Sequence, residues 1–360
     1  MHLLHVVGTR PNFMKAAPVI AALKAYPQVQ QTLVHTGQHY DAQMSEVFFR
    51  ELGLPEPDVN LEVGSGSHAA QTAHVMLRFE EVVLARRPDW VLVYGDVNST
   101  VAAALVCAKM QIPIAHVEAG LRSFDHTMPE ELNRLVTDQL ANRLYTPSED
   151  GDFNLQREGI APDKIRLVGN VMIDTLVRLL PQAALHWPAL CGQFGLAARP
   201  YVLVTLHRPS NVDEPRTLRA LLAVLDEIAQ QAAVIFPVHP RTRQRMAAER
   251  LNADRIQLCA PLGYLDFLAL QQHAALVITD SGGIQEETTY LQVPCLTVRE
   301  NTERPITVTL GTNQLVGQDM PRLQSAALRI LCGEIKTGRI PPLWDGQAAR
   351  RIAQDLAEAG

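Results

Sequence analysis

Short, unbroken apolar runs rich in β-branched residues recur down this chain, and longer segments of helical periodicity separate them. The runs are LLHVV from Leu3, TLVHT from Thr32, WVLVYGD from Trp90, IAHVE from Ile114, RLYTPS from Arg143 and IRLVGN from Ile165. They continue with YVLVTLH from Tyr201, AVIFPVH from Ala233, IQLCA from Ile256, ALVITD from Ala275 and PCLTV from Pro294. Thr100–Met110, Glu130–Ala141, Thr217–Gln231 and Ile284–Leu291 carry representative helical patterns. A strand that is apolar throughout has no face to show to water, so helices must cover both faces of its sheet, and the sheet is parallel. The fold expected is α/β, with doubly wound, Rossmann-like parallel sheets. A chain of 360 residues exceeds one ordinary domain, so two are expected. Pro181, Pro188, Gly192, Gly195 and Pro200 interrupt the pattern between the two groups of strands. That places an N-terminal domain at 1–170 and a C-terminal domain at 171–346. The last helical pattern, within 347–360, follows Pro341 and Pro342 and can return to either domain.

Charge and cysteine usage exclude several classes of function. The formal net charge of −6 argues against a nucleic-acid partner, which normally requires a basic surface. Arg241, Arg243 and Arg245 read as a solvated helix face. Cys107, Cys191, Cys259, Cys295 and Cys332 form no CxxC pair and sit partly in apolar runs, as reduced cytoplasmic thiols do. No metal site is expected. Gly8 and Pro11 end the first apolar run too soon for a signal peptide, and no window has the length of a membrane helix. Gly64, Gly66 and Ala69 match a GxGxxA dinucleotide pattern, but no acid-terminated strand follows at the right distance. Asp150-Gly151-Asp152 reads as a turn or cap beside Ser148.

The unusual polar residues follow the carboxyl ends of the expected strands. Gly8-Thr9-Arg10 follows the first, Gly37-Gln38-His39 the second, Asp96 ends WVLVYGD and Glu118 ends IAHVE. His207, His239 and Asp280-Ser281-Gly282-Gly283 close three strands of the second half. Open α/β sheets bind ligands at those ends, so a single cleft lined by all of them is expected. Ser281-Gly282-Gly283 suits either a diphosphate cradle at a helix N-terminus or a tight turn. Glu287, six residues on, suits either two ribose hydroxyls or the helix dipole. Asp96, Glu118, Glu130 and His207 supply proton-transfer groups. Singly, they also read as an N-cap, an ion pair with Arg122, a helix-dipole acid after Pro129, and a core histidine. Arg10, Lys15, Arg299 and Arg304 provide cations suited to phosphate.

These segments together resemble the non-hydrolysing UDP-N-acetylglucosamine 2-epimerases. The motifs are GTRPNFMK (Gly8–Lys15), TGQHYD (Thr36–Asp41), GDVNST (Gly95–Thr100), HVEAGLRS (His116–Ser123) and PEELNR (Pro129–Arg134). GNVMIDTL (Gly169–Leu176), TLHRPSN (Thr205–Asn211), PVHPRT (Pro237–Thr242), DSGGIQEE (Asp280–Glu287) and TERP (Thr302–Pro305) follow in order. The resemblance implies a GT-B-like pair of domains facing a cleft, with UDP held mainly by the second. It implies reversible conversion of UDP-N-acetylglucosamine to UDP-N-acetylmannosamine without cofactor or metal, feeding cell-surface polysaccharide. The family's route eliminates UDP across C1–C2 to give 2-acetamidoglucal, then adds it back with the proton on the other face.

By resemblance, Asp96, Glu118, Glu130 and His207 are the acid–base group. Arg10, Lys15, Ser281, Gly282, Gly283 and Arg304 meet the sugar or diphosphate, Glu287 the ribose and Phe267 the uracil. Gln38, His39 and His239 match contacts of an activating second site found in some members, and a homodimer is implied. Asn12 stands where the family often has Glu, and Pro209-Ser210 replace Arg-Glu in HRREN. The alternatives are a GT-B glycosyltransferase, a hydrolysing epimerase, an epimerase of a UDP-2,3-diacetamido sugar, and a non-catalytic nucleotide-sugar sensor.

Overall fold

The computed structural model describes residues 1–38, 49, 51–197, 199–251 and 253–358. The chain divides into two compact units, Met1–Thr175 with Pro342–Gly360, and Leu176–Pro341. Each is built on one parallel sheet.

The first sheet has seven strands in the order β3-β2-β1-β4-β5-β6-β7. They are β1 (His2–Val7), β2 (Gln30–His35), β3 (Val59–Asn60), β4 (Trp90–Tyr94), β5 (Ile114–Val117), β6 (Arg143–Thr146) and β7 (Ile165–Leu167). Helices α1 (Arg10–Leu23), α2 (His68–Arg86), α3 (Asn98–Lys109), α4 (Pro129–Leu140) and α5 (Glu149–Arg157) connect them. Leu4, Val6, Val91, Val93 and Ile114 from the strands pack with Phe79, Val83, Ala103 and Cys107 from the helices in one core.

The second sheet has six strands in the order β10-β9-β8-β11-β12-β13. They are β8 (Tyr201–Thr205), β9 (Ala233–Pro237), β10 (Ile256–Cys259), β11 (Leu276–Thr279), β12 (Cys295–Thr297) and β13 (Asn313–Leu315). Its core joins Val202, Val204, Val234, Phe236, Ile278 and Leu296 to Leu218, Leu221, Leu225 and Ile330.

Every apolar run named from the sequence forms a strand. The two strands it did not reveal are β3 and β13, which are short, polar in part and at sheet edges. The region rich in proline and glycine is mostly helix. α6 (Val171–Phe194) runs through Pro181 and Pro188, and burial of Ile173, Leu176, Leu179, Ala183 and Leu190 outweighs the backbone hydrogen bonds those prolines remove.

Among the described residues the further α-helices are α7 (Pro209–Val212), α8 (Pro215–Ile228), α9 (Pro240–Ala248), α10 (Tyr264–His273), α11 (Gly282–Leu291), α12 (Pro305–Thr309), α13 (Met320–Leu331) and α14 (Ala348–Glu358). α14 returns to the first unit and packs on α1. Asp174 caps it, its carboxylate accepting from Ala348 N at 3.1 Å and Ala349 N at 2.7 Å. Trp344 Nε1 donates to Pro147 O at 2.9 Å just before it. Among the described residues, no helix is long and apolar enough to cross a membrane.

The strand orders locate the sites. In the first sheet, successive strands run outward in opposite directions from the β1–β4 pair; in the second, they do so from β8 and β11. At such a switch point the loops beyond the two strands diverge and leave a crevice.

Candidate active site

In the first unit the chain turns sharply after β1 into α1. Thr9 is the N-cap, and Asn12 completes a capping box. Asn12 Oδ1 accepts from Gly8 N at 3.1 Å and Thr9 N at 3.2 Å, while its Nδ2 donates to Tyr94 O at 2.7 Å. The departure at Asn12 therefore keeps the capping role that a glutamate would fill, and it also ties α1 to β4. Arg10 is exposed at the start of α1. One turn on, Lys15 is buried and its Nζ donates to the buried Glu118 carboxylate. Glu118 has φ +72°, a left-handed backbone that a non-glycine residue adopts only when its surroundings impose it.

Arg122, expected to pair with Glu118 in the ion-pair alternative, pairs instead with Asp138 at 2.7 Å and Glu158 at 2.6 Å. Lys15 and Glu118 close over Gly95, where an added Cβ would lie 2.5 Å from Lys15 Nζ. Asp96, next in the chain, accepts from Arg134 Nη2 at 2.5 Å, and Arg134 Nη1 reaches Glu131 at 2.7 Å. The N-cap of α3 is Val97, not Asp96. Asp96, exposed Glu130, Gln38, His68 and Asn98 line a cavity of about 250 Å³ beside these groups. Gln38 Oε1 accepts from Ser99 Oγ at 2.7 Å. His39 lies outside the described residues.

In the second unit the loops after β8 and β11 meet. His207 Nδ1 lies 2.8 Å from Asp280 Oδ1, and the His207 side chain is 61% exposed, so it is not a core histidine. Asp280 also accepts from Arg208 N at 2.9 Å and Asn211 Nδ2 at 3.0 Å. Burial alone would raise its pKa, but the hydrogen bond and charge of His207, with the other donors, hold it below the usual carboxylate value. An anionic Asp280 accepts the proton of Nδ1, so Nε2 is the ring nitrogen left to exchange a proton.

Ser281, Gly282 and Gly283 open α11, and all three are partly accessible. Arg304 crosses over Gly282: a Cβ there would sit 2.3 Å from its Nη1. Arg304 Nε lies 2.9 Å from Glu286 Oε1, and Glu303 gathers Arg299 at 2.8 Å and Arg208 at 3.4 Å. Three guanidinium groups thus gather with Glu286 and Glu303 near a helix N-terminus, a combination that suits a diphosphate.

Glu287 is buried, and its carboxylate accepts from Tyr264 at 2.9 Å. Burial, helped by the charge of Glu286, pushes its pKa up to about 7 against the hydrogen bonds from Tyr264 and Gln271. Phe267 is half-buried on α10 rather than in the core. His239 caps α9, its Nδ1 accepting from Arg241 N at 3.3 Å.

The sequence had not singled out Arg134, Arg208, Glu303 or Tyr264. Glu131–Arg134 and Arg299–Glu303 have i,i+3 and i,i+4 spacings, whereas the contacts of Arg208 with Glu303 and of Tyr264 with Glu287 are long-range. Asp150 and Asp152 fall in the first turn of α5. Among the described residues no cluster of histidine, cysteine and acids has a metal-holding arrangement.

A family model described as UDP-N-acetylglucosamine 2-epimerase matches residues 21–357. The Methanocaldococcus jannaschii UDP-N-acetylglucosamine 2-epimerase is 41% identical over 364 residues, covering 99% of both chains. A crystal structure of the M. jannaschii UDP-GlcNAc 2-epimerase in complex with UDP-GlcNAc and UDP superposes with a TM-score of 0.90 over 99% of this chain and 100% of that one. The Pseudomonas aeruginosa UDP-2,3-diacetamido-2,3-dideoxy-D-glucuronate 2-epimerase is also 41% identical, over 99% of this chain and 100% of its own. A glycosyltransferase from Rickettsia africae, 12% identical with a TM-score of 0.55 over 99% of this chain and 92% of that one, shares the fold alone.

Proposed function

Because this chain belongs to the UDP-N-acetylglucosamine 2-epimerase family, we propose that it interconverts UDP-N-acetylglucosamine and UDP-N-acetylmannosamine by inverting C2. The observation that carries this reading is the chemistry gathered at each sheet's switch point. Carboxylates and a lysine lie beyond β1, β4 and β5, and a His–Asp pair with an arginine cluster lies beyond β8, β11 and β12.

In the forward direction a carboxylate removes the C2 proton, the electron pair forms the C1=C2 bond, and the C1–oxygen bond breaks. The leaving electron pair goes to the β-phosphate oxygen of UDP, where donors fixed in advance stabilise the developing charge most effectively. Arg304, Ser281, Gly282 and Gly283 are assigned to that task, with Arg10. Re-addition of UDP to 2-acetamidoglucal, with protonation from the opposite face, gives the epimer. Removing and returning a proton on two faces needs more than one acid–base group, and Asp96, Glu118, Glu130 and His207 are assigned to it. Lys15, paired with Glu118, is assigned to the sugar or diphosphate, Glu287 to the ribose hydroxyls and Phe267 to the uracil. The same reading includes a cytoplasmic homodimer whose product feeds cell-surface polysaccharide.

The P. aeruginosa relative favours a second substrate, a UDP-2,3-diacetamido uronate, for the same chemistry. Incubating the protein with each sugar nucleotide in deuterated water separates the readings. Deuterium at C2 of a product that still carries UDP supports epimerisation, and the faster substrate identifies the sugar. Free sugar, transfer to an acceptor, or no exchange with either nucleotide would overturn the proposal. Glu118→Gln and His207→Ala should each slow exchange at least about a hundredfold, and a near-normal rate removes that residue from the mechanism.

A further inference from the structure

Behind the loops of the first unit lies a closed chain of charges that the reaction as proposed does not use. His116, on β5, and Asp138, on α4, are both completely buried. The His116 Nδ1 lies 2.6 Å from Asp138 Oδ1, and its Nε2 lies 2.8 Å from the carbonyl oxygen of Gly95. Asp138 Oδ2 accepts from Gly120 N at 3.2 Å and pairs with Arg122 at 2.7 Å, and Arg122 continues to Glu158.

Both atoms facing the imidazole are acceptors. A carbonyl oxygen has no proton to give. Asp138 takes the Gly120 N–H and the Arg122 guanidinium on its other oxygen, donors that an anion satisfies, so it stands in this cluster as the carboxylate. Both ring nitrogens must therefore donate, which requires the imidazolium form. A buried cation is costly unless it is fully paired, and this one is paired on both sides.

What it grips is the turn that carries the chemistry. Gly95 N still belongs to the sheet, donating to Val117 O at 3.0 Å. Gly95 itself has φ +62°, so the chain leaves the strand there. Its Cα faces Lys15 and Glu118 so closely that a Cβ would stand 2.5 Å from the amine and 3.2 Å from the carboxylate. Asp96 is the next residue. A shift of the Gly95 peptide by a few tenths of an ångström moves Asp96 and crowds the Lys15–Glu118 pair.

We infer that His116 is a positioning residue for C2 epimerisation, a buried imidazolium held by Asp138 that pins the Gly95 carbonyl. It thereby fixes both Asp96 and the site where Lys15 meets Glu118. The inference rests on the epimerase reading above.

Two measurements test it. In wild-type protein labelled with ¹⁵N-histidine, the His116 ring should show two protonated nitrogens under the conditions in which the enzyme is assayed; one bare nitrogen overturns the inference. Asp138→Asn should lower kcat about ten- to a hundredfold, the scale of a small misplacement of reacting groups, with KM within about twofold. Glu158→Gln, which alters only the outer partner of Arg122, should leave kcat near wild type. An Asp138→Asn enzyme with wild-type kcat, or one whose loss lies wholly in KM, overturns the inference while leaving the epimerase reading intact. Absence of C2 exchange by the wild type removes both.

Discussion

At Gly282 what matters is the missing side chain. Its backbone needs no special freedom, but Arg304 lies across it at a distance that no Cβ tolerates. Gly282→Ala should therefore displace the guanidinium rather than unfold α11, since the atom that must yield is the end of a flexible side chain. Loss of one charge-assisted contact predicts a UDP dissociation constant raised about tenfold, with a melting temperature close to wild type. Calorimetric titration with UDP reads the effect directly, and unaltered affinity would detach Arg304 from the diphosphate. At this scale the sequence was informative about residue types and poor about partners. Asp96, Glu118 and His207 stood out because each closes an apolar run. That Asp96 would meet Arg134, and Glu118 meet Lys15 rather than Arg122, depended on contacts spanning 38 and 103 positions, which no local spacing encodes.

Among the elements, α14 is the clearest case of a segment whose place only tertiary contacts determine. Its apolar stripe of Ile352, Ala353 and Leu356 is fully buried, and its first turn is capped by Asp174, well over a hundred residues earlier. Ile352→Ala should cost about 2–5 kcal/mol through lost burial and the cavity left behind. Urea denaturation of the full chain checks this, and a loss below about 1 kcal/mol would mean that the helix is not firmly docked. The helical period of α14 was legible in the sequence; the unit it would join was not. The strands divide in the same way. Buried central strands announce themselves as apolar runs, whereas β3 and β13 have two or three residues each at the sheet edges and leave no such trace. α6 shows the reverse failure, because its prolines read as punctuation while its buried apolar stripe keeps it helical.

For the whole molecule, the buried acids set the pH dependence of stability. Glu287 titrates near 7 in the folded protein against an ordinary 4.5, and Asp174 near 6 against 3.8, chiefly through burial. In each window the folded state binds more protons than the unfolded one, so stability falls as pH rises from about 4 to 7. Asp138 and Asp280, held below their ordinary values, act oppositely and lose their contribution as pH falls. Glu287→Gln should gain on wild type by a few degrees in melting temperature between pH 5 and pH 8. A gap that stays constant across that range would contradict a protonated, buried Glu287.

The sequence by itself determined the α/β class, the central strands and the chemical types waiting at their ends. Each of those follows from local apolar periodicity and from where it stops. The order of strands in each sheet, and hence the switch points, was decided only by tertiary structure. So were the burial of Lys15 against Glu118, the grip of His116 on Gly95, and the arginines gathered around Glu303. These depend on which distant segments pack together and how much water they exclude, and that is a property of the folded chain rather than of any stretch of it.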